Sequence, residues 1–472
     1  MIKFGTGGWR AIIGDEFTKA NIQLLVRAIA RIMKDSGTQE NGFCIGYDRR
    51  FLSVEAAQWA AEVMAGEGIK TYILDREAPT PLIMFTVKML HLEYGMAVTA
   101  SHNPAIYNGV KVFTQGGRDA DETITAEIEL YIADMSSQPV VAMNFDEGID
   151  KGLIIKIDPF NNYIDSILES VNTQAIKQRR LKVALDPMYG VSQTSLRTIL
   201  MTARCDVSVI HERHDTLFGG RLPTPNVDTL KSLTNYVVDN FCDLGIATDG
   251  DADRIGVIDD TGTFLHPNRI LVLLYYYLVK YKGWKGACVR NNSTTHLLDK
   301  VAESFGEKCY EVPVGFKYVS SKMRKTDAVI GGESSGGLTV RGHIQGKDGI
   351  YAAALLVEMI ATTGKCLSEL YREVLDIYGC LYNSEIDLEF SMQTKKKLGV
   401  LLYEDKLLPN FPLEIDKVSY IDGCKIYFRN GGWIVARFSG TEPLLRLCCE
   451  MPDEKDVVQV TKIFSDFIKA NQ

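Results

Sequence analysis

Residues 43–99, FCIGYDRRFLSVEAAQWAAEVMAGEGIKTYILDREAPTPLIMFTVKMLHLEYGMAVT, decide the fold. Phe43 to Tyr47 is a short apolar run of strand length. Ser53 reads as the N-cap of a helix over Val54 to Ala65, closed by Gly66 and Gly68. Ile69 to Leu74 reads as a strand, Thr80 to Leu90 as a helix, and Tyr94 to Thr99 as a strand. Strand, helix and strand at this spacing imply crossover connections and a largely parallel sheet. Upstream, Ile22, Leu25, Val26, Ile29, Ile32 and Met33 predict an amphipathic helix over Ala20 to Lys34.

The same rhythm restarts twice. Strands are predicted at Leu181 to Leu185, Val207 to Ile210, Leu244 to Thr248 and Ile255 to Ile258, with helices at Ser192 to Met201 and Asp228 to Asn240. A third set has helices at Asn268 to Lys280 and Gly349 to Thr362, with strands at Ala287 to Arg290 and Ala328 to Ile330. The last hundred or so residues instead carry hairpin signals, Ser384 to Phe390 and Lys425 to Phe438 around Asn430-Gly431-Gly432, before a helix at Asp456 to Ala470. At roughly 100–200 residues per domain, 472 residues allow three or four domains. The expected fold is α/β: three similar α/β domains with mixed sheets over 1–150, 151–256 and 257–367, and a smaller α+β domain over 368–472.

Composition narrows the function classes. A net charge of −8 lacks the attraction that non-specific nucleic-acid binding needs, while leaving room for a local basic cleft. None of the ten cysteines forms a C-x-x-C pair, so a zinc site or disulfide framework is not expected. The longest apolar run, Ile270 to Val279, has ten residues where a membrane span needs about twenty. The start, Met1-Ile2-Lys3-Phe4, shows no apolar leader region. A cytoplasmic protein without membrane or nucleic-acid partners is expected.

Four loops carry chemistry. Asp249-Gly250-Asp251-Ala252-Asp253-Arg254 follows a predicted strand, and carboxylates at i, i+2 and i+4 of an extended segment converge on one side. Their repulsion is relieved by a hard divalent cation, and three protein oxygens leave room for water and a phosphate oxygen, which suits Mg²⁺. An EF-hand loop needs Gly at the sixth position, here Arg254, and is excluded; a haloacid-dehalogenase-type aspartyl nucleophile stays as a rival. Thr99-Ala100-Ser101-His102-Asn103-Pro104 offers Ser101 as a nucleophile or phosphate carrier beside His102, with Lys111 downstream. Gly331-Gly332-Glu333-Ser334-Ser335-Gly336-Gly337 sets Glu333 and Ser335 among glycines, suited to holding sugar hydroxyls. Arg437-Phe438-Ser439-Gly440-Thr441-Glu442-Pro443 combines a cation, hydroxyls and free backbone N–H groups into an anion nest.

Together with Phe4-Gly5-Thr6-Gly7-Gly8-Trp9-Arg10, an F-G-T-x-G-x-R pattern, these loops resemble the α-D-phosphohexomutase superfamily along the whole chain. The resemblance implies four domains around a central cleft. It implies phosphorylation of Ser101, Mg²⁺ held by Ser101, Asp249, Asp251 and Asp253, and charge neutralisation by Arg10 and Arg254. Lys111 stands at the N-G-x-K position associated with acid/base work, with neighbouring cations expected to lower its pKa; His102 joins the catalytic set. Arg437, Ser439, Gly440 and Thr441 would hold the non-transferring phosphate, and Glu333, Ser335, Lys317 and Lys347 the rest of the substrate. A sugar 1,6-bisphosphate would serve as activator, sugar phosphates as the only partners, and the chain would act as a monomer or homodimer. Many relatives carry S-G-H where this chain has Gly337 after Gly336; with Pro313 to Lys317 and Lys347-Asp348-Gly349, that favours glucose phosphates over mannose, glucosamine or pentose phosphates. A non-catalytic sugar-phosphate-binding regulator is the alternative from another class.

Overall fold

A computed structural model describes residues 2–136, 138–439 and 443–472. The first sheet contains β1 (Trp9–Ile12), β2 (Phe43–Tyr47), β3 (Thr71–Leu74), β4 (Tyr94–Val98) and β5 (Tyr107–Thr114). Its order is β1-β5-β4-β2-β3, ending on the strand Ile154–Ile157. β4, β2 and β3 are parallel, and β5 turns back antiparallel onto β4 and β1. β2 and β4 are buried at every residue because helices cover both faces, which is why they read as unbroken apolar runs. The helix Lys19–Asp35 buries the predicted stripe, and Thr18 caps it by accepting from the Asn21 N–H.

Three local expectations shift. Ser53 is the first residue of its helix instead of the cap; Leu52 before it is left-handed at φ 63°, and the Ser53 hydroxyl donates to Asp48 at 2.8 Å. The helix expected from Asp228 starts at Lys231, because the Asn226 side chain captures the Asp228 and Thr229 N–H groups in a turn. The strand expected at Ala328 to Ile330 runs Ile330–Gly332.

The second sheet is ordered Phe264–Leu265, Ile255–Ile258, Leu244–Thr248, Lys182–Asp186, Asp206–Val209. The third is Cys309–Val312, Cys288–Asn291, Ile330–Gly332, Leu338–Val340, and the fourth is an antiparallel five-stranded sheet over 382–451. Hydrogen bonding places three strands across expected domain limits. Ile154–Ile157 lies beyond 150 yet pairs with β3, and the hairpin over 255–265 straddles 256 yet completes the second sheet.

One apolar core runs through the first three units, built on Pro267–Lys280 and Gly349–Thr363, whose sides are buried almost all round. The last unit has a core of its own. It is tied to the third mainly by polar contacts: Lys425 to Asn292 O and Glu311, and Val314 N–H to Asp422, at 2.6–2.7 Å. Among the described residues no single helix is long and apolar enough to cross a membrane, and none of the cysteines is disulfide-bonded.

Candidate active site

Three of the chemical loops meet where strands end. Ser101 follows β4 in left-handed backbone, φ 51°, with its N–H bonded to Thr99 Oγ1 at 2.9 Å. Its hydroxyl is fully buried and donates to Asp249 Oδ2 at 2.7 Å; His102 Nδ1 lies 3.3 Å away. Gly250 makes this closeness feasible, since a Cβ there would sit 2.7 Å from the Ser101 carbonyl oxygen.

Asp249, Asp251 and Asp253 are fully buried, with one oxygen from each within 4.8 Å of the others. Lys111, on β5, donates to Asp251 Oδ2 and Asp253 Oδ2 at 2.6 Å each. Lys347 reaches Asp253 Oδ2 at 2.7 Å, and the Thr80 hydroxyl reaches Asp251 Oδ2 at 2.6 Å. Asp251 Oδ1 and Asp253 Oδ1 are buried with no hydrogen-bond partner. Two orphaned carboxylate oxygens in a three-carboxylate cage, beside a serine hydroxyl, fit a hard cation such as Mg²⁺.

Burial, then Asp251 and Asp253, push the Asp249 carboxyl up to about 8. Burial also drives Asp253 upward, but Lys111, Lys347 and Arg254 outweigh it and hold that carboxyl well below its usual range. For Lys111 burial works downward while Asp251 and Asp253 more than compensate, so its pKa lies above that of an ordinary lysine. Without a metal in the cage, the nearest charges to Lys111 are carboxylates and not the cations expected to lower its pKa. Burial, then Arg254 and Arg10, drive His102 far down, leaving a neutral imidazole. Arg10 is lowered to about 10, chiefly by burial and Arg254, and donates to Asn103 Oδ1.

A pH dependence follows from Asp249. Its folded pKa is raised above the reference 3.8, so the metal-free chain holds that proton up to about pH 8, and the stability it contributes is lost as pH rises through that value. A cation must displace the proton. The Mg²⁺ concentration giving half-saturation should fall about tenfold per pH unit on approaching pH 8 and level off above it, as followed by calorimetric titration.

The Gly332 to Gly336 segment is stitched to the carboxylate loop. Ile255 N–H bonds to Gly336 O at 3.2 Å, and Arg254 forms a bridge with Gly337. Ser335 is exposed, and Glu333 is buried, accepting from Asn291 and the Gly315 N–H at 3.0 and 2.9 Å. Gly337 has a spatial reason: a Cβ would lie 2.3 Å from Lys347 Cδ, so a side chain there and the present path of Lys347 exclude each other. Gly337→Ala should dislodge Lys347 from Asp253 and cost about 1–3 kcal/mol of stability. A Gly337→Ala/Lys347→Ala double variant should be little less stable than Lys347→Ala alone, a non-additivity readable in thermal melts.

Not every expected residue faces open space. Lys317 pairs with Glu122 at 2.9 Å, and Arg437 Nε donates to Asp422 at 2.9 Å. The Ser439 N–H bonds to Leu444 O at 3.0 Å. Gly440 and Thr441 lie outside the described residues. Sequence reasoning missed Asp48, Arg50 and Thr80, which hold the loops from behind. Asp48 follows β2 just as Asp249 follows its strand, and that parallel was the available signal.

Comparison with known proteins matches the chain, in order, to the phosphoglucomutase/phosphomannomutase α/β/α domains I (1–139), II (161–262) and III (266–378) and to the C-terminal domain (400–466). A probable phosphoglucosamine mutase of Pyrococcus furiosus is 30% identical over 467 residues, 99% of this chain and 97% of that protein. A phosphoglucomutase/phosphomannomutase of Thermococcus kodakarensis is 29% identical over 458 residues, 96% and 95% of the two chains. The crystal structure of a putative phosphomannomutase from Thermus thermophilus superposes with a TM-score of 0.85 at 29% identity, covering 99% of both chains. Near-complete coverage by these relatives, with all four domains in register, makes the chain a member of the phosphoglucomutase/phosphomannomutase family of α-D-phosphohexomutases, and therefore an isomerase of the intramolecular phosphotransferase type.

Proposed function

We propose that the chain interconverts the 1- and 6-phosphates of a hexose through phospho-Ser101 and a bisphosphorylated sugar. The observation that carries this reading is the buried Ser101 hydroxyl, 2.7 Å from Asp249 at the edge of a cage with two unpartnered carboxylate oxygens. A binding-only regulator needs no such carrier. Relatives named for glucosamine, glucose and mannose phosphates do not single out glucose, so the substrate class is a hexose or hexosamine phosphate.

In this reading, the Ser101 Oγ–P bond breaks as a bond from phosphorus to the free sugar hydroxyl forms. The bisphosphate then turns about, and its other phosphoryl group returns to Ser101 Oγ. Arg10 and Arg254 face the transferring group as fixed positive charges. His102, 3.3 Å from Ser101 Oγ, is too weakly basic to take the sugar hydroxyl proton, so that role falls to Lys111, whose partners Asp251 and Asp253 would have their charge offset by bound Mg²⁺. Asp249, Asp251 and Asp253 would hold Mg²⁺, which withdraws charge from the transferring oxygens when bound. Arg437, Ser439, Gly440 and Thr441 would grip the other phosphate, and Glu333 and Ser335 the sugar hydroxyls. Asn291 and the Gly315 N–H both donate to Glu333 Oε1, which fixes the carboxylate so that Oε2 can accept from a sugar hydroxyl. The separately cored last unit can then close over the cleft, excluding water.

Coupled assays on glucose, mannose and glucosamine 1-phosphates, primed with the matching 1,6-bisphosphate, test the reading. Turnover of at least one hexose phosphate is expected; inactivity on all three would sink it.

A further inference from the structure

We propose that Arg50 is the positioning residue that registers the Ser101 loop of the first domain against the Asp249 loop of the second. The inference rests on the reading of Ser101 as phosphoryl carrier. The Arg50 side chain has no exposed surface. Nη2 donates to the carbonyl oxygens of Ser101 and Asn103 at 2.6 and 2.7 Å, and Nη1 to those of Pro104 and Tyr107 at 2.9 and 3.0 Å. Nε lies 3.3 Å from Asp48 Oδ2. A guanidinium has five N–H donors; four of these go to carbonyls of the Ser101 loop, and the buried Nε–H faces Asp48 without a hydrogen bond. With no exposed surface to offer a substrate phosphate, the arginine acts through the loop it holds.

The loop needs holding. Ser101 stands at φ 51°, a conformation an L-residue keeps only when its surroundings over-determine it. Arg50 takes the Ser101 carbonyl from one side. On the other, Asp48 accepts from Thr99 Oγ1 at 2.6 Å, and Thr99 Oγ1 accepts the Ser101 N–H at 2.9 Å. Asp48 also accepts the Arg50 N–H at 2.9 Å, closing the turn that carries both residues.

The second domain enters through Phe218. Its ring lies 4.8 Å from the guanidinium carbon, and the ring edge packs 3.4 Å from the space a Cβ on Gly250 would fill. Arg50 is thus sandwiched between the Ser101 loop and an aromatic face resting on the carboxylate loop. The fork fixes where Ser101 Oγ stands relative to Asp249. A lysine keeps the charge but cannot span four carbonyls and an aromatic face at once.

The test compares wild type, Arg50→Lys, Arg50→Ala and Ser101→Ala as full chains. Wild type incubated with glucose 1,6-bisphosphate is first examined by intact mass for a phosphate on Ser101. Its absence would remove the carrier reading and this inference with it. With wild type phosphorylated, Arg50→Lys should lose about 100-fold in kcat with KM changed less than about threefold, since an ångström of misplacement has that cost. Methylguanidinium should restore at least about tenfold to Arg50→Ala and nothing to Ser101→Ala. Arg50→Lys with kcat within about fivefold of wild type, or no rescue of folded Arg50→Ala, overturns the positioning role while leaving the carrier intact. If the Arg50 variants do not fold, Phe218→Leu decides. It keeps every hydrogen bond of the clamp and should lower kcat about fivefold at constant KM; unchanged kcat refutes the coupling.

Discussion

Ser101→Ala should lower mutase turnover by at least about 10⁴-fold, because it deletes the atom on which the phosphoryl group travels. The fold should survive. The hydroxyl has two side-chain neighbours, Asp249 and His102, and its loop is anchored instead through backbone groups held by Arg50 and Thr99. The purified variant should melt within a few degrees of wild type and gain no phosphate mass from glucose 1,6-bisphosphate. On wild type the label should resist hydroxylamine, as a serine ester does; cleavage would move the carrier to an aspartate, as in the dehalogenase-type rival. Turnover near the wild-type rate would end the carrier role.

Asp253→Asn should be nearly as damaging, with a second signature in the absence of metal. With Asp249 protonated below about pH 8, the metal-free cage sets two carboxylates, Asp251 and Asp253, against the ammonium groups of Lys111 and Lys347, with the Arg254 guanidinium 3.9 Å from Asp253. Neutralising Asp253 leaves Lys347 without that partner in a buried site, and Lys111 with Asp251 alone. Removing one partner of a buried ion pair typically costs about 3–5 kcal/mol. The thermal midpoint in chelator should therefore drop by several degrees, and Mg²⁺-dependent activity should fall at least about 10³-fold. An unchanged midpoint in chelator would mean that Asp253 is not the lysines' counter-charge. Unchanged activation by Mg²⁺ would remove it from the cage.

The separate readouts matter because metal site and ion-pair network share atoms. Lys111 and Lys347 occupy the Oδ2 side of Asp253, while Oδ1 is the orphan. The cage therefore offers a cation its unpartnered oxygens while the lysines remain seated.

Much of the fold was legible in the chain itself. The apolar runs of β2 and β4, the amphipathic stripe of Lys19–Asp35 and the acidic run after Leu244–Thr248 are local properties, set by side-chain polarity and spacing within about twenty residues. So were the residue types of the site, since a hydroxyl, a carboxylate triplet and a glycine-rich turn announce their chemistry wherever they stand at a strand end. Helix starts at Ser53 and Lys231 slipped because distant or turn-forming side chains competed for the caps.

What tertiary structure alone decided is who neutralises whom. Lys111 is held cationic by carboxylates 140 and 142 positions away, a pairing that no local pattern carries. Asp249 keeps its proton because folding strips water from three acids at once. Gly337 lacks a side chain because Lys347 crosses that space, and Arg50 matters because four carbonyls of a later loop turn toward it. Polarity and period belong to each residue and survive in the linear chain. Desolvation, charge pairing and steric exclusion belong to pairs of residues, and come into existence only when the chain brings those pairs together.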